Sequence, residues 1–160
     1  MQLPDNIKSS FKLKIIGQAK LDYEEKYKNK LKKLIKKNNM IDNIELSGPK
    51  YGKDKEIIIS ESYSLVLPSK SENFGNVILE SLSQKTPVIV SKYAPWDIVN
   101  KNKAGYCVET TIDDIKNKLL DIINLNEEEY KIFQENALNL VTDSFDINKN
   151  IDTWINYYKS

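Results

Sequence analysis

At 160 residues the chain is long enough for one domain with its own core and too short for two of ordinary size. A net charge of +1 makes no bulk electrostatic case for nucleic acid or an anionic membrane, the absence of His removes the commonest general base and zinc ligand, and a lone Cys107 excludes an internal disulfide. No apolar run approaches about 18 residues and no signal peptide opens the chain, so a cytosolic protein is expected, with Cys107 a buried thiol.

Residues 1–11 carry Pro, Asn, Asp and Ser and read as a lead-in. Lys12 to Ile16, closed by Gly17, reads as a strand. From Leu21 to Lys37, Tyr23, Tyr27, Leu31, Leu34 and Ile35 recur at helical spacing with Lys on the other face. Such a basic amphipathic helix can lie on anionic lipid, but Glu24 and Glu25 interrupt its charge and no Trp or Phe anchors its stripe. It is expected to be a solvated outer helix. Asn43 to Ser47 is a second strand, stopped by Gly48-Pro49, and a weak helix is expected over Lys53 to Ser60. Leu65 to Leu67 is a short strand ended by Pro68, and a polar loop leads to a helix opening at Phe74-Gly75. Pro87 ends that helix and Val88 starts the next strand. Pro95-Trp96 begins a short helix to Asn100, and Gly105 to Val108 is a fifth strand. Thr111 with an acidic first turn opens another helix, a longer one spans about 126–141, and a last one runs from Ile147 to Tyr158.

Strands alternating with helices imply an open, Rossmann-like parallel sheet of about five strands with helices on both faces, in a single domain over residues 1–160. In such sheets ligands gather at the carboxyl ends of the strands. The loop Ser69 to Asn73 is longer than its connection requires, which marks it as the site. Glu80 lies in the second turn of the following helix between Leu79 and Leu82, where a carboxylate is costly unless paired or hydrogen-bonded. Helical side chains lean toward the N-terminus, so Glu80 should reach back to the loop. There it either receives a ligand diol or caps amides of its own loop. Glu72 either holds ligand hydroxyls or is an exposed residue favouring the helix dipole. The amides near Gly75, Asn76 and Val77 form a ready anion site. Glu127 and Glu135 share the same spacing with no loop and no Gly around them, so spacing by itself assigns nothing. Neither a dinucleotide Gly fingerprint nor a Walker loop occurs.

The run LPSKSENFGNVILESLSQKTPVIVSKYAPW resembles the signature of the family 4, or group 1, glycosyltransferases of GT-B fold. Their E-x7-E pair matches Glu72 and Glu80. NIELSGPKYGKDKEII and APWDIVNKNKAGYCVE extend the resemblance over about residues 12–110. It implies the C-terminal, donor-binding half of a two-domain retaining enzyme that uses a UDP-, GDP- or ADP-sugar without metal. Glu80 would take the ribose hydroxyls, and Glu72 the donor sugar near its anomeric carbon as the catalytic carboxylate. Asn73, Phe74, Gly75, Asn76 and Val77 would meet sugar and phosphate. Gly48, Pro49 and Lys50, with Lys55 nearby, would lie at the base. The transfer implied is of a hexose-type sugar to a polysaccharide or lipopolysaccharide acceptor, by front-face displacement through an oxocarbenium-like state. The full enzyme would be cytoplasmic or peripheral at the inner membrane face.

Three departures stand out. Lys85 replaces the family's usual Gly in a turn that calls for positive φ, Asp97 stands where relatives carry Glu, and residues 1–11 are too short for the family's opening strand with its Arg and Lys. The expectation is therefore of an incomplete, inactive half-enzyme. A second reading is a non-catalytic subunit whose Trp154, Tyr157 and Tyr158 dock a separate acceptor-domain chain. A third, an epimerase or phosphorylase on the same fold, has less in its favour.

Overall fold

A computed structural model describes residue 7 and residues 10–159, apart from the side chains of residues 152–154 and 157. The described residues fall into two compact units, one ending at Asp54 and the other beginning at Lys55.

In the first unit β1 (Leu13–Ile16) pairs in parallel with β2 (Ile44–Ser47), Leu13 opposite Ile44. Between them runs α1 (Asp22–Lys37). The Glu24 carboxylate accepts the amides of Lys20 and Leu21, closing the helix start, and those bonds draw its pKa down. No residue of α1 is buried; Tyr23, Tyr27 and Leu34 are exposed, as an outer helix was expected to be.

Helix α2 (Gly52–Ser60) leads into the second unit, which continues with β3 (Leu65–Leu67), α3 (Asn76–Ser83), β4 (Val88–Ser91), α4 (Ile98–Lys101), β5 (Gly105–Val108), α5 (Ile112–Ile123), α6 (Glu127–Ser144) and α7 (Ile147–Lys159). The five expected strands are all present, in parallel ladders of β1 with β2 and of β3, β4 and β5. Apolar runs locate strands but do not encode which edge meets which. The short helix starts two residues later than expected, because Trp96 is spent on the core; α6 continues to Ser144.

Strand β4 lies between β3 and β5, and all four of its residues are buried. Val88 and Val90 join Ile78 and Leu82 of α3, Trp96 and Val99, and Ala137 and Leu140 of α6 in one cluster. Ile89 points the other way by strand alternation and is buried too, and α5 packs against β4 and β5. Burial on both faces is why the strand reads Val-Ile-Val without polar alternation. Gly105 is required here: a Cβ would sit 2.2 Å from the Val88 carbonyl oxygen. The outer edge of β5 is closed by the Asn100 amide, which accepts from the Cys107 amide at 2.9 Å and donates to its carbonyl at 3.3 Å. Cys107 is half-buried, and burial pushes its thiol pKa up.

Lys85 does adopt φ +60°. Its amide donates to the Leu82 carbonyl and that of Thr86 to Ser81, a Schellman ending. Replacing Lys85 by Gly removes the Cβ conflict of the left-handed region at some cost in chain entropy. Lys85→Gly is expected to raise the unfolding free energy by about 0.5–1 kcal/mol in urea titration.

Tyr130 stacks on Tyr63 with ring centroids 4.0 Å apart and donates its hydroxyl to the Tyr63 carbonyl at 2.8 Å. Burial first, and then Tyr63, push its pKa from 10.0 up to about 12. The neutral phenol is thus the favoured form in the fold, so its contribution is complete below pH 10 and is lost as pH rises through the folded value. Stability should fall between about pH 10 and 12 in wild type, and less steeply in Tyr130→Phe, followed by tyrosinate absorbance alongside circular dichroism.

Candidate functional site

The loop from Pro68 to Phe74 is held from two sides. Ser91, fully buried at the end of β4, donates its hydroxyl to the Ser69 carbonyl at 2.5 Å and accepts the Tyr93 amide at 3.2 Å. Trp96, also fully buried, donates its indole N–H to the Phe74 carbonyl. The Phe74 ring packs against Trp96 and Phe145, with centroids 5.2 and 5.9 Å away. One residue further, Gly75 turns the chain at φ +77° into α3. A Cβ there would meet Ile78 Cδ1 at 2.8 Å and Glu72 Cγ at 3.2 Å, so the position is closed to other residues by conformation and by space.

Helix α3 starts without a side-chain cap. Its first backbone bond is the Ile78 amide to the Gly75 carbonyl at 2.7 Å, which leaves the Asn76 and Val77 amides ahead of it as donors. Asn73 and Asn76 are exposed, Val77 is half-buried and Phe74 is 38% exposed. Glu72 is half-buried, its Oε2 at 3.5 Å from the Ser69 hydroxyl, the limit of a hydrogen bond.

Glu80 does not cap the loop. Its Oε1 accepts from the Lys55 ammonium of α2 at 2.7 Å, while its Oε2 is buried with no hydrogen-bond partner. The side chain as a whole is 39% exposed and Lys55 33%, so the pair is partly screened and worth about 0.2–1 kcal/mol. An unsatisfied buried carboxylate oxygen costs about 1–3 kcal/mol, or more for a charged group. The structure brings Glu72, Asn73, Phe74, Gly75, Asn76, Val77, Glu80 and Lys55 into one unit around α3. Gly48, Pro49 and Lys50 follow β2 in the other unit, the first two exposed and Lys50 half-exposed.

Residues 1–140 match the sequence profile of the family Glycosyl transferases group 1. A glycosyltransferase of Methanocaldococcus jannaschii is 36% identical over 138 residues, which are 84% of this chain and 37% of that protein. The poly(ribitol-phosphate) α-N-acetylglucosaminyltransferase of Staphylococcus aureus is 27% identical over 83% of this chain and 27% of its own length. The chain thus spans about a third of the curated relatives it matches. Among solved structures, Staphylococcus aureus TarM in complex with fondaparinux, α-GlcNAc-glycerol and UDP superposes with a TM-score of 0.77 at 25% identity, over 97% of this chain and 30% of TarM. Anabaena HepE in complex with UDP and glucose gives 0.77 at 18%, over 98% of this chain and 43% of HepE. The C-terminal domain of a group 1 family protein from Francisella tularensis, LpcC, gives 0.66 at 24%, over 79% of this chain and 66% of that domain. At the lower identities the likeness is one of fold.

Two residues that organise the loop, Ser91 and Trp96, were not singled out for it in the sequence. Ser91 ends an apolar strand and Trp96 follows a proline turn, and neither position announces a partner 22 residues back. The one available signal was chemical: a buried indole N–H needs an acceptor. Trp96→Phe keeps the ring and deletes the donor. It should lower stability by about 1–2 kcal/mol in urea titration and speed exchange of the Ile78 amide, which bonds to the Gly75 carbonyl.

Proposed function

This chain belongs to the group 1 glycosyl transferases, and on that footing we propose that its second unit binds the nucleotide sugar donor of a retaining transfer. The observation that carries this reading is the Glu80 carboxylate, with one oxygen on Lys55 and the other buried without a donor. A ribose presents two adjacent O–H donors, and a partly exposed carboxylate, with lone pairs on both oxygens, can accept both beside Lys55. The amides of Asn76 and Val77, at a helix start that Gly75 leaves open, suit the diphosphate, with Asn73 and Phe74 beside them. Glu72, half-buried at the same turn, takes the hydroxyls of the donor sugar and offers negative charge to an oxocarbenium-like transition state as the diphosphate departs. In this scheme Gly48, Pro49 and Lys50 serve the base.

The donor is a UDP-, GDP- or ADP-hexose used without a metal. The acceptor is a polysaccharide or lipopolysaccharide, bound by an N-terminal domain or a separate subunit that supplies the other wall of the cleft. The whole enzyme would work in the cytoplasm or at the inner face of the membrane; among the described residues no helix is long and apolar enough to cross it.

One observation favours a second reading, an interaction module that pairs with an acceptor-domain chain. Ile147, Ile151, Ile155 and Tyr158 recur along α7 and are 40–80% exposed. The Trp154 and Tyr157 side chains invoked for this docking lie outside the described residues.

Calorimetry with UDP, GDP and ADP tests the donor reading. At least one should bind at micromolar to millimolar concentration, and Glu80→Gln should weaken it by roughly tenfold. A folded protein that binds none of the three at millimolar concentration would overturn it.

A further inference from the structure

We infer that Lys55 is a positioning residue for the donor site: by holding Glu80 Oε1 it fixes the orientation of the carboxylate that meets the ligand. This rests on the reading of Glu80 as the ribose acceptor. The resemblance placed Lys55 at the base. The structure gives its ammonium another partner at 2.7 Å, on a residue 25 positions away in sequence.

The two helices that carry the pair are pinned together one turn beyond it. The Thr86 hydroxyl, buried, donates to the Ile59 carbonyl at 2.8 Å, and Ile59 is one turn after Lys55 in α2. Thr86 is tied in turn to Ser81, the neighbour of Glu80: its amide donates to the Ser81 carbonyl at 3.0 Å and the Ser81 hydroxyl donates to its carbonyl at 3.0 Å. Ile59, Ser81 and Thr86 are all buried. The last turn of α2 and the last turn of α3 are therefore locked, and the Lys55–Glu80 contact lies between fixed backbones.

That matters because the terminal torsion of a glutamate is soft, and a free carboxylate would exchange its two oxygens. A half-exposed ion pair adds little stability, so its consequence is geometric. With Oε1 engaged, the ribose diol meets a carboxylate held in one orientation. The preference for a 2′,3′-diol over a sugar lacking it should therefore depend on Lys55, although Lys55 touches neither hydroxyl.

The test is calorimetry with whichever of UDP, GDP and ADP binds most tightly, against its 2′,3′-dideoxy analogue, on wild type, Lys55→Met, Lys55→Gln and Lys55→Arg. Wild type should prefer the diol by roughly tenfold or more. In Lys55→Met the preference should collapse to about twofold with the affinity for the dideoxy nucleotide unchanged, and Lys55→Arg should restore part of it. A purely structural role would weaken both nucleotides alike. If Lys55→Met does not fold, Lys55→Leu, which also lacks a donor, decides the matter, and Lys55→Gln, which keeps one, should fall between that variant and wild type. A donorless variant that retains the full diol preference overturns the positioning role while leaving Glu80 on the ribose. A wild type that binds nucleotide with no diol preference overturns the Glu80 reading and this inference with it.

Discussion

The constraint on which the site depends is the burial of one indole. Trp96 is fully enclosed among Val99, Phe145 and the α3–α6 core, and an enclosed N–H must find an acceptor within the protein. It finds the Phe74 carbonyl, the last one before Gly75. That bond fixes the direction from which the loop enters α3, and the left-handed turn at Gly75 then aims the first amides of the helix. Ser91 fixes the other end of the same loop from the last residue of β4. A strand buried on both faces and a core tryptophan thus hold a polar loop that contains no regular structure of its own.

The helix endings show a different economy. Three left-handed endings, at Asn39, Lys85 and Lys103, share one pattern in which the left-handed residue bonds back to the carbonyl three before it and the next amide to the carbonyl five before. Glycine would normally fill such positions, and the chain has only 5. Asn tolerates the region through its own side chain; Lys does not. At Lys85 the strain is offset by a buried hydrogen-bond circuit through Ser81, Thr86 and Ile59, which would be lost if the turn relaxed. The turn is therefore held by its neighbours more than by its own preference.

Much of this was legible in the residues. All five strands fall within a residue of where Pro, Gly and the apolar runs place them, because those signals are local. The loop, the Gly75 turn and the Glu72–Glu80 frame were legible for the same reason, as was positive φ at Lys85. What was hidden is pairing at a distance. Nothing in GKDKEIIIS says that Lys55 meets Glu80, and nothing in VIVS says that Ser91 meets Ser69. The pairing order within each ladder was hidden too, since a parallel strand with both faces buried carries no mark of its neighbour.

Magnitudes decide how the Glu80 arrangement is to be understood. Had it evolved for stability, the ion pair would need to outweigh the oxygen it leaves unpaired. A pair this exposed contributes about 0.2–1 kcal/mol, and an unsatisfied buried acceptor costs about 1–3 kcal/mol, so stability gives no reason for the pair. Leucine at this position, flanked by Leu79 and Leu82 in a helix that is otherwise mostly apolar, would be the more stable solution. A carboxylate oriented by a lysine on a second helix, between backbones pinned through buried side-chain bonds, has the form of a preorganised acceptor. Under the proposed function the cost of its unpaired oxygen would be recovered when a donor arrives, as binding energy instead of folding energy.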